Sequence, residues 1–372
     1  MRHTVSLRKT NAKLLVYSGC LLMVSLFAVL MARKTSWFGE WYASHIFPAF
    51  LDTIGRIMSL APFSVLEILV CAFAAYVAAC VLYLFLLAIV PTWRAKLKGA
   101  AARALCLTLA FACSMAMMLS LACAVNYSRD TFADLTGRQV SKPSTGDVLE
   151  LCKLLIGEVS ELPAEIPLDG RGLFTAENVD VKAEAKNSMK LLAAETPLLA
   201  GYYPNPKPVH FSRVMSMARI TGIYSPFTVE ANYNSDVPDY MIPYTVCHEL
   251  AHLKGFIRED EAGFIAYLAC MKSETPEFRY SGLMNALSYA LRAYSGAATP
   301  EEYYELRKTI PEQALSDFAA GNLYWRNFQG KISKMSEKAN DSYLKANVQE
   351  DGVKSYGRMI DLLVAEYRIG MD

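Results

Sequence analysis

Residues 245–270 read TVCHELAHLKGFIREDEAGFIAYLAC, and the five residues His248-Glu249-Leu250-Ala251-His252 inside that run decide how the rest of the chain is read. The composition of the segment is helical, and histidines four apart stand one turn apart on one helix face. Two imidazoles so placed reach a single ion at the bond length of about 2.0–2.1 Å that zinc requires. Glu249 is rotated about 100° from His248, beside an open coordination position. A carboxylate there accepts a proton from a water whose pKa zinc lowers to about 7, and passes it to a leaving amine. Val246, Leu250 and Ala251 give the helix the apolar flanks of a buried element, and the whole chain has only five histidines, so chance rarely produces the pattern.

A catalytic zinc usually takes three protein ligands. Gly255 suits a left-handed helix end, so the chain is expected to reverse there. A second apolar helix then opens at Glu259 and runs to about Met271. Glu259 is the first choice for the third ligand and Glu261 the alternative. Asp260 points to another face and reads as a charge favourable at a helix N-terminus. Glu259 to Ala262 resembles the Glu-x-x-Ala-Asp ligand helix of membrane-embedded gluzincin peptidases. Gly263 departs from it, standing where an Asp or Asn often orients a histidine. The spacing H-E-x-x-H-x-x-G-x-x-H is followed to Gly255 but ends on Arg258, which cannot ligate zinc.

The runs ITGIYSPFTVEANYN (220–234) and IPYTVCHELAHLKGFIREDEAGF (242–264), with the tail NDSYLKANVQEDGVKSYGRMIDLL (340–363), resemble a family of bacterial membrane proteins known only as a domain of unknown function. That resemblance implies a zinc-peptidase-like core behind an N-terminal membrane anchor. It supplies no substrate.

The 372 residues are 53% hydrophobic, and the apolar excess is concentrated at the start. Residues 14–31, 63–90 and 104–125 are each long and apolar enough to cross a bilayer core of about 30 Å. The first follows a basic start without acidic residues and is read as an anchor rather than a cleaved signal peptide. Between the first two spans, residues 37–58 carry Trp37, Trp41 and Tyr42 and read as an interfacial segment. His45 there is expected at the surface. Glu67, near one end of the second span, reads as an interfacial carboxylate rather than as part of a transport path. Four Lys/Arg at the N-terminus and four in a loop at 91–103 place those segments in the cytoplasm. Residues 126–372 then form an extracytoplasmic domain of a multi-pass cell-membrane protein. A net charge of +1 and the lack of a basic cluster give no sign of nucleic-acid binding.

In that outer domain, helices are expected over 145–161, 179–196, 280–293, 300–308, 311–335 and 351–367. Thr228, Val229, Glu230, Ala231 and Asn232 read as a strand before the metal helix, an edge able to bind extended peptide by backbone pairing. Tyr280, Tyr356 and Arg358 are candidates for stabilising an oxyanion. His210 reads as a surface or loop residue. Six of nine cysteines lie in the spans; Cys152, Cys247 and Cys270 lie outside, Cys247 as a buried residue of the metal helix.

The sequence thus predicts a mostly α protein: three transmembrane helices, then an α-rich zincin-like domain with a small β element. Zn2+ would be held by His248, His252 and Glu259, with Glu249 as general base and a peptide or protein as substrate. The competing expectation is a zinc-binding peptide or cell-wall sensor that does not cut. Glu249 argues against it, since a structural site needs no base.

Overall fold

Apolar sequence in a bilayer takes up helix because a helix satisfies its backbone polar groups internally. The computed structural model of the protein describes residues 2–89, 91–162, 166–346 and 358–369. It opens with α1 (Arg2–Lys34), the shorter α2 (Ser36–His45), α3 (Val65–Ile89) and α4 (Pro91–Ala122). The stretches Thr10–Lys34, Val65–Leu86 and Ala101–Ser128 are long and apolar enough to cross a membrane. The loop expected at 91–103 is instead the first part of α4. Proline suits a first helical turn, and Ala, Lys and Arg are strong helix formers, so the basic stretch lengthens the helix.

The ends of these helices share a core with the rest of the chain. Ala28, Ala32, Ala122 and Cys123 belong to the same buried cluster as the outer helices. The segment at 37–58 is not a free interfacial helix: Tyr42, Phe47 and Leu51 are buried, while Trp37 and Trp41 stay exposed. The Tyr42 hydroxyl donates to the Leu121 carbonyl at 2.9 Å. Buried Arg129 joins Glu40 of α2, 2.8 Å from its Nε, to the Lys254 carbonyl, 2.8 Å from its Nη1. Two carboxylates tie α3 in from opposite sides. Glu230 accepts the amides of Val65 (3.2 Å) and Leu66 (2.9 Å), unpaired donors at a helix start where negative charge is favoured. Glu67 accepts the amides of His210 (3.0 Å) and Phe211 (2.7 Å). Glu230 also pairs with buried Lys207, whose Nζ donates to the Met58 carbonyl at 2.6 Å.

The outer part continues with α5 (Thr145–Glu161), α6 (Val181–Glu195), β1 (Lys207–Pro208), α7 (Ser212–Met217), β2 (Gly222–Ser225) and β3 (Glu230–Tyr233). Then come α8 (Ile242–Leu253), α9 (Glu259–Lys272), α10 (Pro276–Ser295), α11 (Pro300–Arg307), α12 (Glu312–Arg326), α13 (Lys331–Ala346) and α14 (Met359–Ile369). A capping box of Ser144 and Asp147 starts α5 where the sequence placed it. The helix expected over 311–335 is two helices, broken before Gly330. Of the helix expected over 351–367, residues 351–357, including Tyr356, lie outside the described residues. Helix α9 is buried on nearly every side, as its even apolar composition requires. The nine cysteines are free thiols, with Cys152, Cys247 and Cys270 buried.

The sheet has the order β1-β3-β2, with β1 parallel and β2 antiparallel to β3. This corrects the reading of residues 228–232. Glu230, Ala231 and Asn232 lie in the strand between β1 and β2 rather than in an edge strand, and Thr228 and Val229 lie in the turn before it. Val229 takes a φ of 53°, rare for a β-branched residue, and full burial of its side chain holds it there. The outer strand over the metal helix is β2.

Candidate metal centre

Helix α8 sets His248 and His252 on one face, and the chain turn after it brings the third donor. Gly255 adopts a φ of 83°, its amide closing on the His252 carbonyl at 2.9 Å. A side chain at that φ is strained, so glycine makes the reversal possible. Helix α9 then begins on Glu259, whose Oε2 lies 3.0 Å from His248 Nε2 and 3.7 Å from His252 Nε2. The three donor atoms lie within 4.8 Å of one another. Ligand atoms around tetrahedral zinc stand roughly 3.4 Å apart at bonds of about 2.0–2.1 Å, and the two distances bracket that value. The set fits zinc in chemistry and spacing.

The same reversal orients a ring. His252 Nδ1 lies 2.8 Å from the Phe256 carbonyl, so this nitrogen carries the proton and Nε2 faces the other donors. No Asp or Asn is needed at 263, and none fits: a Cβ there would come 2.8 Å from the Tyr244 hydroxyl. Glu261, the alternative ligand, faces elsewhere. It accepts the Phe132 amide and Arg258 Nη1, each at 3.0 Å, and fixes the start of α9 against the loop after α4. Asp260 is more than a helix-terminal charge, since Arg358 Nε donates to it at 3.1 Å.

Glu249 is buried beside this group, and its Oε2 lacks a hydrogen-bond partner among the described residues. Burial pushes its carboxyl up to about 8, against the pull of His252 and of the Tyr224 amide. Burial would also raise Glu259, but the bonds from His248 and His252 outweigh it and hold that carboxyl well below the usual range. Burial keeps His248 neutral, the nearby His252 charge reinforcing it against Glu259. For His252, burial opposes the charged ring, yet the bond and charge of Glu259 prevail and raise it to about 9.

Several neighbours have no signature in the sequence. Strand β2 crosses so close to Glu249 that a Cβ on Gly222 would lie 2.4 Å from Glu249 Oε1 and 2.7 Å from Thr245 Cγ2. Asn234 N–H donates to Thr221 at 2.8 Å, so Ile223 and Ser225 turn their backbone groups to β3, and Gly222 and Tyr224 turn theirs to the open edge. The Tyr224 ring stands 6.2 Å from His252, and its hydroxyl donates to the Ala122 carbonyl at 2.8 Å. The donor group thus lies beside the end of α4. Burial, and then the Glu259 charge, raise the hydroxyl of Tyr289 to about 12; burial and then Cys123 raise that of Tyr343, to which the Glu259 charge adds least. Tyr244 and Tyr224 lie close as well, their rings 6.3 Å from His248 and 6.2 Å from His252. Tyr280 instead donates to Asp317 at 2.6 Å and stacks on Phe174, and Arg358 serves Asp260. His45 is exposed, and His210 lies in the loop before α7.

A family model described as a protein of unknown function, DUF3810, matches residues 42–364. The chain belongs to the DUF3810 family. No curated protein and no solved structure matches it significantly. The DUF3810 match takes in α3 and α4 together with the donor group, in keeping with the core that the helix ends share with the outer part.

Proposed function

We propose that this DUF3810 protein is a membrane-anchored zinc metallopeptidase whose zincin-like catalytic part lies outside the cytoplasm. One observation carries the reading: three metal-type donors converge beside a buried, unpartnered carboxylate oxygen of Glu249. Zinc held by His248, His252 and Glu259 supplies Lewis acidity, lowering the pKa of a water to about 7 and polarising a carbonyl. Glu249 takes the proton of the attacking water at Oε2 and returns it to the leaving amine. Its raised carboxyl pKa suits both halves of that transfer near neutral pH. An extended peptide pairs with the outer edge of β2 through the Gly222 backbone and the Tyr224 carbonyl, the Tyr224 amide being held by Glu249. Tyr289 or Tyr343 donates to the developing oxyanion. The basic N-terminus and the basic start of α4 set the orientation, staying in the cytoplasm.

The test is zinc content of the purified full-length protein together with cleavage of a peptide library. Stoichiometric zinc that disappears in His252→Ala and Glu259→Ala but persists in Glu249→Gln, with cleavage abolished in the last, is the expected result. Zinc without cleavage in the wild type replaces the peptidase by a zinc-binding sensor, and a protein without zinc removes both readings.

A further inference from the structure

Helix α13 packs the wrong way round for water. At 100° per residue, Ile332, Met335 and Ala339 form one stripe, and Ser333, Ser336, Asn340 and Leu344 form another. The second stripe faces the protein: Ser333 is 5% and Leu344 0% exposed, whereas Ile332 is 58% and Met335 72% exposed. Lys331, Lys334 and Lys338 border the apolar stripe and are exposed as well. Uncovered apolar surface costs free energy in proportion to its area, so this face has a partner.

The position of α13 identifies that partner. Tyr343 Oη lies 3.0 Å from Sγ of Cys123, just past the end of α4 and within a stretch apolar enough to cross a membrane. A second uncovered apolar surface, formed by Phe211, Val214 and Met217 on and before α7, is tied to the start of α3 through the Phe211 amide on Glu67. Both surfaces adjoin stretches long and apolar enough to cross a membrane. An apolar stripe bordered by lysines is the pattern of a helix lying in the plane of the interface, with its ammonium groups among the phosphates.

We propose that α13 and the α7 segment are seated in the bilayer surface, the apolar stripe at the acyl boundary and the lysines on anionic headgroups. This does not rest on the peptidase reading and requires no metal. The test places photoreactive benzoylphenylalanine at Val214, Ile332 or Met335 of the full-length protein, with exposed Tyr304 of α11 as control, in vesicles of phosphatidylcholine and phosphatidylglycerol. Irradiation is expected to give lipid adducts at the three positions and not at Tyr304. At 332 and 335, phosphatidylglycerol should exceed its share of the lipid about fivefold, the ratio that one lysine near an anionic surface produces. Lys331→Gln/Lys334→Gln/Lys338→Gln should abolish that preference while the adducts remain. Adducts to protein alone, or lipid adducts no more frequent than at Tyr304, overturn the proposal. Three independent exposed positions keep the result readable if one substituted protein misfolds.

Discussion

Replacing Glu230 by Gln keeps the shape of the side chain and removes its charge. The Lys207 side chain is 2% exposed and that of Glu230 1%, so the ammonium is left in the interior with the Met58 carbonyl at 2.6 Å and a neutral amide. Removing one member of a buried ion pair costs about 3–5 kcal/mol, because the remaining charge is uncompensated. Val65 and Leu66 donate to different oxygens of Glu230, so Gln keeps an acceptor for one amide and turns its NH2 toward the other, adding about 1–3 kcal/mol. A loss of at least about 4 kcal/mol is a large fraction of the 5–15 kcal/mol by which folded proteins are stable. Denaturant unfolding of the full-length protein in detergent, followed by tryptophan fluorescence, measures it. Lys207→Met/Glu230→Gln removes both charges and should regain most of the loss. The reasoning fails if Glu230→Gln costs less than about 1 kcal/mol, or if the double variant is as unstable as the two single losses added together.

Gly222→Ala pushes a methyl group against the Glu249 carboxylate; zinc should stay bound while cleavage falls about 100-fold, and a loss of zinc in parallel would show that β2 supports the donors instead. Glu261→Gln should keep full zinc and lose about 1–3 kcal/mol of stability, as expected for a buried acceptor of the Phe132 amide; loss of zinc on elemental analysis would return Glu261 to the ligand set. In the metal-free protein the His252 pKa is raised from 6.5 to about 9, burial opposing and Glu259 prevailing. The stability this ring gains from Glu259 is therefore complete below pH 6.5 and is lost as pH rises through about 9. Zinc binding at pH 7 must accordingly expel a proton, and its affinity should increase with pH up to about 9; calorimetry in two buffers of different ionisation enthalpy would falsify this by finding no proton release.

The donors themselves were legible because their geometry is local. Histidines four apart share a helix face whatever surrounds them, and Gly255 marks a reversal that returns Glu259 within one short loop. What packs against the donors was not legible. Tyr289 and Tyr343 are two among 21 tyrosines, and nothing in their spacing separates them from Tyr280, which serves Asp317. The strand at Glu230 was found but misplaced in the sheet, since β-branched and aromatic composition reports a half-buried pleat and not which strand lies outermost. Glu67 reads from hydropathy as an interfacial carboxylate because its partners are backbone amides 143 and 144 residues away, and amides leave no trace in a sequence. The start of α4 reads as a loop from sequence because basic residues mark orientation and say little about where a helix ends.

The exchange of carboxylates across the membrane boundary has a mechanical consequence. Glu230 of the sheet holds the first turn of α3, and Glu67 of that turn holds the loop entering α7, through four amide bonds in all. Such a reciprocal clasp resists both swing and lift, and so opposes any change in the height of the donor group above the ends of α3 and α4. The protein is built as a gauge. On the peptidase proposal, a substrate chain would have to present its segment at that one elevation, and reach from the surface would become a criterion of selection alongside residue type.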